Sequence, residues 1–373
     1  MHLTGRERIM RLFKGQDVDR PSLKLWALDK GQKMIHEDYR PVYEAGLKYT
    51  DLFGGGSSPF DFVVGADHGR YVRERRRLDD EWDEVVVTLR TDHGDLREVN
   101  RVSRVGKPGY TMEHFVKCDE DLEKLLAVPY KPYPMDLSRF IENDAAMGDA
   151  GIVMFGLGHS AYQVYCLMGS EHMAMMRVES PELLAHAVSS YSDRLMAHVK
   201  AAVDAGLRGR RDLVFGWVGP ELFLPPLMSP ADFDEYVFKH DARLIDLIHD
   251  AGGYAWVHCH GRVKDFIDRF ARMGVDMLNP IEPPPMGDVS LREAFQIADG
   301  RMALEGNIQI GDIITGSDEL IRSLVDRAID EAGERFVLGL TTGYMEVPEP
   351  PEAMIRNLLL YLEYGYQRLT GGN

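Results

Sequence analysis

Two histidines one residue apart close an apolar run, Tyr254-Ala255-Trp256-Val257-His258-Cys259-His260-Gly261. In an extended chain alternate side chains share a face, so His258 and His260 point one way and Cys259 the other. Paired imidazoles at the end of a buried strand can coordinate a divalent metal or hold an anionic substrate; the alternative is a pair of core histidines satisfied by backbone groups. Other apolar runs end in the same manner. His159 follows Gly151–Phe155, Glu221 follows Leu213–Trp217, and Asn279 and Glu282 follow the run at 275–279. Glu305 and Asn307 follow Met302–Leu304, and Thr341, Thr342 and Tyr344 follow the run at 336–340.

Three histidines and three glutamates at one rim suit zinc, which takes nitrogen and carboxylate ligands tetrahedrally and keeps one position for water or substrate. His258 and His260 plus one carboxylate would be enough. Glu305 is the preferred third ligand because it directly follows its strand, with Glu282 and Glu221 as rivals; for each, the alternative is an arginine partner at the rim. His159, Glu221 and Tyr344 are candidates for proton transfer. Trp26, Trp217, Asn279, Glu282, Asn307 and Thr342 are candidates for contact with a small-molecule substrate.

The elements that must position these groups alternate. From about residue 136 onward, strands at 151–155, 213–217, 254–258, 275–279, 301–304 and 336–340 are separated by helix-length amphipathic segments. Repeated strand–helix units imply a parallel sheet flanked by helices. A first strand at Ser22–Trp26 brings the count close to eight, which favours a (β/α)8 barrel whose chemistry lies where the strands end. Thr4 with Glu7 three residues on predicts a capped helix to Phe13, an N-terminal extension of the barrel. Gly54-Gly55-Gly56-Ser57-Ser58-Pro59 reads as a flexible loop, without the strand and helix context of a dinucleotide cradle. Alternating residues at 82–105 around Asp92-His93-Gly94 predict a β-hairpin insertion. That insertion could be an ordinary one or a partner or homodimer surface. The whole of 1–373 is expected to be one domain.

Composition narrows the partners. Apolar residues make up 45% and charged residues 28% of the chain, enough for a sizeable core. A net charge of -17 disfavours nucleic acid and anionic membrane surfaces. The basic cluster Arg73–Arg77 is followed at once by Asp79, Asp80 and Glu81, as a solvated face would be. Three unpaired-looking cysteines, a polar N-terminus and the lack of a membrane-length apolar run lead us to expect a cytoplasmic protein.

With these residues in view, the chain resembles the uroporphyrinogen decarboxylase superfamily, which also contains zinc-dependent methyltransferases that move methyl groups between corrinoid proteins, coenzyme M and related acceptors. The resemblance runs from Thr4-Gly5-Arg6-Glu7-Arg8 and Asp19-Arg20-Pro21 through His258-Cys259-His260-Gly261 and Met273–Pro280 to Glu305-Gly306-Asn307-Ile308 and Pro348–Glu352. It implies a single (β/α)8 barrel. The arginine-rich motif by which the decarboxylases clamp porphyrinogen carboxylates is replaced here by Leu25-Trp26-Ala27-Leu28-Asp29-Lys30-Gly31-Gln32. The methyltransferases hold zinc with His-x-Cys and a cysteine of the last loop. His258 matches the first ligand, His260 stands at the first cysteine and Thr342 at the second. A harder set, His258, His260 and Glu305, could serve an alkoxide, phenolate or carboxylate. The resemblance therefore implies a methyltransferase with zinc and a corrinoid protein as partner. The rivals are a metal-assisted decarboxylase or hydrolase of a small acid and a non-catalytic binding barrel.

Overall fold

A computed structural model of the chain describes residues 2–371. Strands β1 (Ser22–Leu23) and β2 (Leu52–Gly56) begin the main sheet. Four strands then leave it: β3 (Tyr71–Arg77), β4 (Trp82–Leu89), β5 (Leu96–Ser103) and β6 (Tyr110–Glu113). The main sheet resumes with β7 (Gly151–Gly156), β8 (Val214–Val218), β9 (Tyr254–His258), β10 (Met277–Ile281), β11 (Ala303–Ile308) and β12 (Phe336–Leu340). These eight strands are parallel, in the order β1-β12-β11-β10-β9-β8-β7-β2, and curl with helices around them into a (β/α)8 barrel-like fold. At the seam Asp51 N donates to Leu23 O at 2.9 Å, tying the end strands together.

The inward residues of the strand starts form their own apolar cluster, with Phe53, Ile152, Val214, Trp256, Met277, Ala303 and Val337. Ile9, Met10, Leu12 and Phe13 join it from the helix Gly5–Phe13. Thr4 and Glu7 form the expected capping box, with Glu7 N donating to Thr4 Oγ1 at 3.2 Å. This helix therefore plugs the end of the barrel where the strands begin. Outward-facing residues pack on the helical layer in a second, larger core.

Two expectations are corrected. The glycine run is β2, paired to β7 over its length, and not a flexible loop. Two of its glycines, Gly54 and Gly56, sit against the helix behind them: a Cβ on Gly56 would lie 3.0 Å from Phe140 Cα, and one on Gly54 would lie 2.7 Å from Met147 Cε. The helix Ser138–Met147 therefore packs directly on the strand backbone. The insertion is also larger than a hairpin. The hairpin strands are present as β4 and β5, but the Arg73–Arg77 cluster is β3, and β6 completes a four-stranded antiparallel sheet. Its arginines pair across strands, Arg75 with Asp83 at 2.6 Å and Arg76 with Glu84 at 2.8 Å, so the cluster is a balanced face. No helix among the described residues is long and apolar enough to cross a membrane.

Candidate active site

Period two along β9 turns Tyr254, Trp256 and His258 into the barrel, and His260 continues that face just past the strand. The two imidazoles meet edge to face with centroids 4.4 Å apart. β10 supplies the partners. His258 Nδ1 lies 2.5 Å from Asn279 Oδ1; with the amide in this orientation Nδ1 carries the proton and Nε2 is left as an acceptor. His260 Nδ1 lies 3.2 Å from Glu282 Oε2, which also accepts from Gly261 N at 2.8 Å. Gln309 Nε2 reaches the other Glu282 oxygen at 3.5 Å, and Thr341 Oγ1 donates to Gln309 Oε1 at 3.3 Å.

These surroundings drive the two histidines apart. Burial, reinforced by the neighbouring His260, pushes His258 down to a pKa of about 3, so it is neutral. Burial also works against a charge on His260, but the Glu282 hydrogen bond and the charges of Glu282, Glu221 and Glu346 outweigh it and raise its pKa. Glu282, although buried, is held below the usual carboxylate range by His260 and Gly261. The site thus contains one neutral and one charge-prone imidazole, the latter about a third exposed at the mouth.

Beneath them is a pair of charges. Lys24 Nζ lies 2.7 Å from Glu305 Oε1, and Trp256 Nε1 donates to Glu305 Oε2 at 3.1 Å. Trp26 packs edge-on against His258 with centroids 4.4 Å apart.

Of the residues singled out from sequence, the structure brings together His258, His260, Asn279, Glu282 and Trp26. Glu221 is close enough to act on His260 and accepts from Gly219 N at 3.1 Å. Thr342 donates to Glu346 at 3.0 Å on the last loop. Asn307 lines a neighbouring cleft of about 840 Å3 with Gln309 and Pro283. The other four are corrected. Glu305 does not join the histidine pair: its Oε1 lies against the Lys24 amine and its Oε2 accepts from Trp256. His159 caps the helix Ser160–Glu179: its Nδ1 accepts from Tyr162 N at 3.2 Å and its Nε2 lies 3.1 Å from Asp241, so neither nitrogen is free for catalysis. Trp217 faces the helical layer and donates to the same carboxylate at 3.2 Å. Tyr344 is fully buried against Tyr39, and its hydroxyl donates to Gln32 at 3.1 Å.

Sequence reasoning missed Lys24, Gln309 and Glu346. Lys24 had a signal: in Ser22-Leu23-Lys24-Leu25-Trp26 the leucines alternate outward, which turns the lysine into the barrel.

A zinc site needs a third protein donor beside two imidazoles. Here Glu282 is engaged by His260, Glu305 by Lys24, and a threonine stands in the last loop. Among the described residues no group of three or more His, Cys, Asp or Glu side chains is arranged to hold a metal ion. The donor set does not fit zinc.

The model of the uroporphyrinogen decarboxylase (URO-D) family matches residues 158–359, more than half of the chain and all of the site strands from β8 onward. The chain belongs to the uroporphyrinogen decarboxylase family. Within this family it is 25% identical over 258 residues to the uroporphyrinogen decarboxylase of Syntrophotalea carbinolica, covering 66% of this chain and 70% of that one. It is likewise 25% identical over 235 residues to that of Geobacter sp. strain M21, covering 60% and 63%. A methyltransferase from Methanosarcina mazei has the same fold, with a TM-score of 0.60 at 14% identity and 98% of both chains covered.

Proposed function

We propose that this protein transfers a methyl group from a small substrate that is not an anion, with His260 as the acid that protonates the departing heteroatom. The observation that carries the reading is the setting of His260: a partly exposed imidazole whose Nδ1–H is held by Glu282 and whose charge is favoured by Glu221, Glu282 and Glu346. A polyanionic porphyrinogen would meet like charge at such a mouth, where family decarboxylases are expected to present arginines. The stretch after β1 offers Lys30 instead, and its ammonium is spent on Ala146 O and Met147 O at 3.0 and 2.8 Å.

In this reading the acceptor's electron pair forms the new bond to the methyl carbon. The pair of the broken bond returns to the heteroatom, which takes the proton held by His260. Neutral His258, oriented by Asn279, accepts a hydrogen bond through Nε2 and fixes the substrate beside Trp26. A corrinoid carried by a partner protein is the acceptor that the resemblance implies.

A lyase reading has one observation in favour, the decarboxylase names of the relatives at 25% identity. The same acid would then protonate the carbon that loses carbon dioxide. One experiment separates the two: methoxyarenes, methylamines and methyl thioethers are supplied with reduced free cobalamin, and uroporphyrinogen is supplied in parallel. Methylation of cobalamin that fails in His260→Gln supports methyl transfer. Carbon dioxide release from uroporphyrinogen, with no methylation, would sink it.

A further inference from the structure

The barrel interior below the histidines contains a charge where small barrels are ordinarily filled by branched apolar side chains. Lys24 and Glu305 are side by side there, with side-chain exposures of 5% and 0%. The ammonium sits over three aromatic rings, 4.2 Å from the Phe53 centroid, 4.8 Å from Trp256 and 5.3 Å from Trp26. Such a cation is held by ring faces as well as by its carboxylate. Two of those rings are the neighbours of His258, Trp26 at 4.4 Å and Trp256 at 5.9 Å. One layer of indoles therefore separates the Lys24 amine, paired to Glu305, from the imidazole.

We infer that Lys24 is a built-in cation that takes the place of a divalent metal beneath the histidine pair. It engages Glu305, the carboxylate that would otherwise be free to complete a metal site, and it repels any further cation from His258. A divalent ion leaves water when anionic or strongly basic donors replace its hydration shell. Two imidazoles already fixed by Asn279 and Glu282, with an ammonium below, do not offer that. Charges act more strongly on one another inside a protein than in water, so the ammonium opposes a second cation beside it. The protein then polarises its substrate through hydrogen bonds and keeps its function in the presence of chelators. This inference goes beyond the methyl-transfer reading and needs no substrate for its test.

Cobalt(II) is a visible probe for tetrahedral nitrogen and oxygen sites, and we would add it to the whole chain after dialysis against a chelator. The wild type is expected to show no ligand-field bands. Lys24→Met, and Lys24→Gln as a variant that retains a donor towards Glu305, are expected to develop them, and His258→Ala in either background to abolish them. Thermal melts with and without zinc give a second readout: a midpoint raised by zinc in the Lys24 variants and unmoved in the wild type. Bands in the wild type that vanish with His258→Ala would overturn the inference. Folded Lys24 variants that also show no bands would overturn it too, because Lys24 would not be what excludes the metal.

Discussion

The rings of His258 and His260 touch edge to face at 4.4 Å between centroids, yet their surroundings shift their proton affinities in opposite directions. Burial keeps one imidazole neutral, and a carboxylate raises the proton affinity of the other. Two adjacent residues of one type can thus act as acceptor and acid.

The acid has a pH signature. With a pKa raised above the ordinary imidazole value of about 6.5, His260 is charged over a wider range in the fold than in the unfolded chain. Its stabilising contribution is complete below that ordinary value and is lost as pH rises through the raised one. Activity should fall over the same limb. Glu282→Gln is expected to move the limb to lower pH and to cut kcat/KM by about 100-fold, measured as pH profiles of both proteins.

The depressed histidines act the other way. His258 and His198 have pKa values of about 3 and about 4, and the second is packed against Phe60. Their neutral forms stabilise the fold above the ordinary imidazole value, and that contribution is lost as pH falls toward those values. A tenfold change in proton affinity between folded and unfolded chain is worth about 1.4 kcal/mol. Urea midpoints should drop steadily on acidification below about pH 6.5, and less so in His198→Phe.

Breaking the buried ion pair should be costly and repairing it cheap. Lys24→Met leaves Glu305 without its counter-charge, with the Trp256 hydrogen bond as its remaining partner, at a cost of about 3–5 kcal/mol in urea unfolding. Lys24→Met with Glu305→Gln should recover most of that loss, since no bare charge remains.

On β2 the neighbours decide which glycines can change. Gly56→Ala brings a Cβ within 3.0 Å of the Phe140 backbone and should cost about 1–3 kcal/mol. Gly55→Ala, with nothing within 4 Å, should be within experimental error of the wild type in the same melts.

Tyr344 offers a control for the site. Tyr344→Phe removes its hydrogen bond to Gln32, worth about 1 kcal/mol, and should leave kcat within about twofold. A loss of activity like that of His260→Gln would return Tyr344 to the catalytic machinery.

Much of this was legible beforehand. Seven of the eight strands could be counted because each is a short apolar run, and the histidine pair was visible because period two leaves no doubt about a shared face. Sequence reasoning failed where glycine stood in for side chains: β2 has almost no pattern to read, since its outward face is backbone pressed on a helix. It also failed at strand ends. His159, Trp217 and Tyr344 follow barrel strands as the site residues do, but face the helices; a strand end gives a location, and the face depends on a register that one residue can reverse. Glu305 pointed inward as expected, and its partner came from the far end of the chain, directly after β1, which no spacing rule connects to it.

The helix Gly5–Phe13, sealing the barrel where its strands begin, leaves the histidines with one door. With a lysine and a glutamate filling the shaft behind them, whatever gives up a group and whatever receives it must share that doorway. Under the proposed methyl transfer to a carrier protein, a bulky carrier could not wait on the opposite side for a small reactant to arrive. The small molecule would have to enter first and the carrier close over it, so turnover should be ordered and an excess of carrier should inhibit.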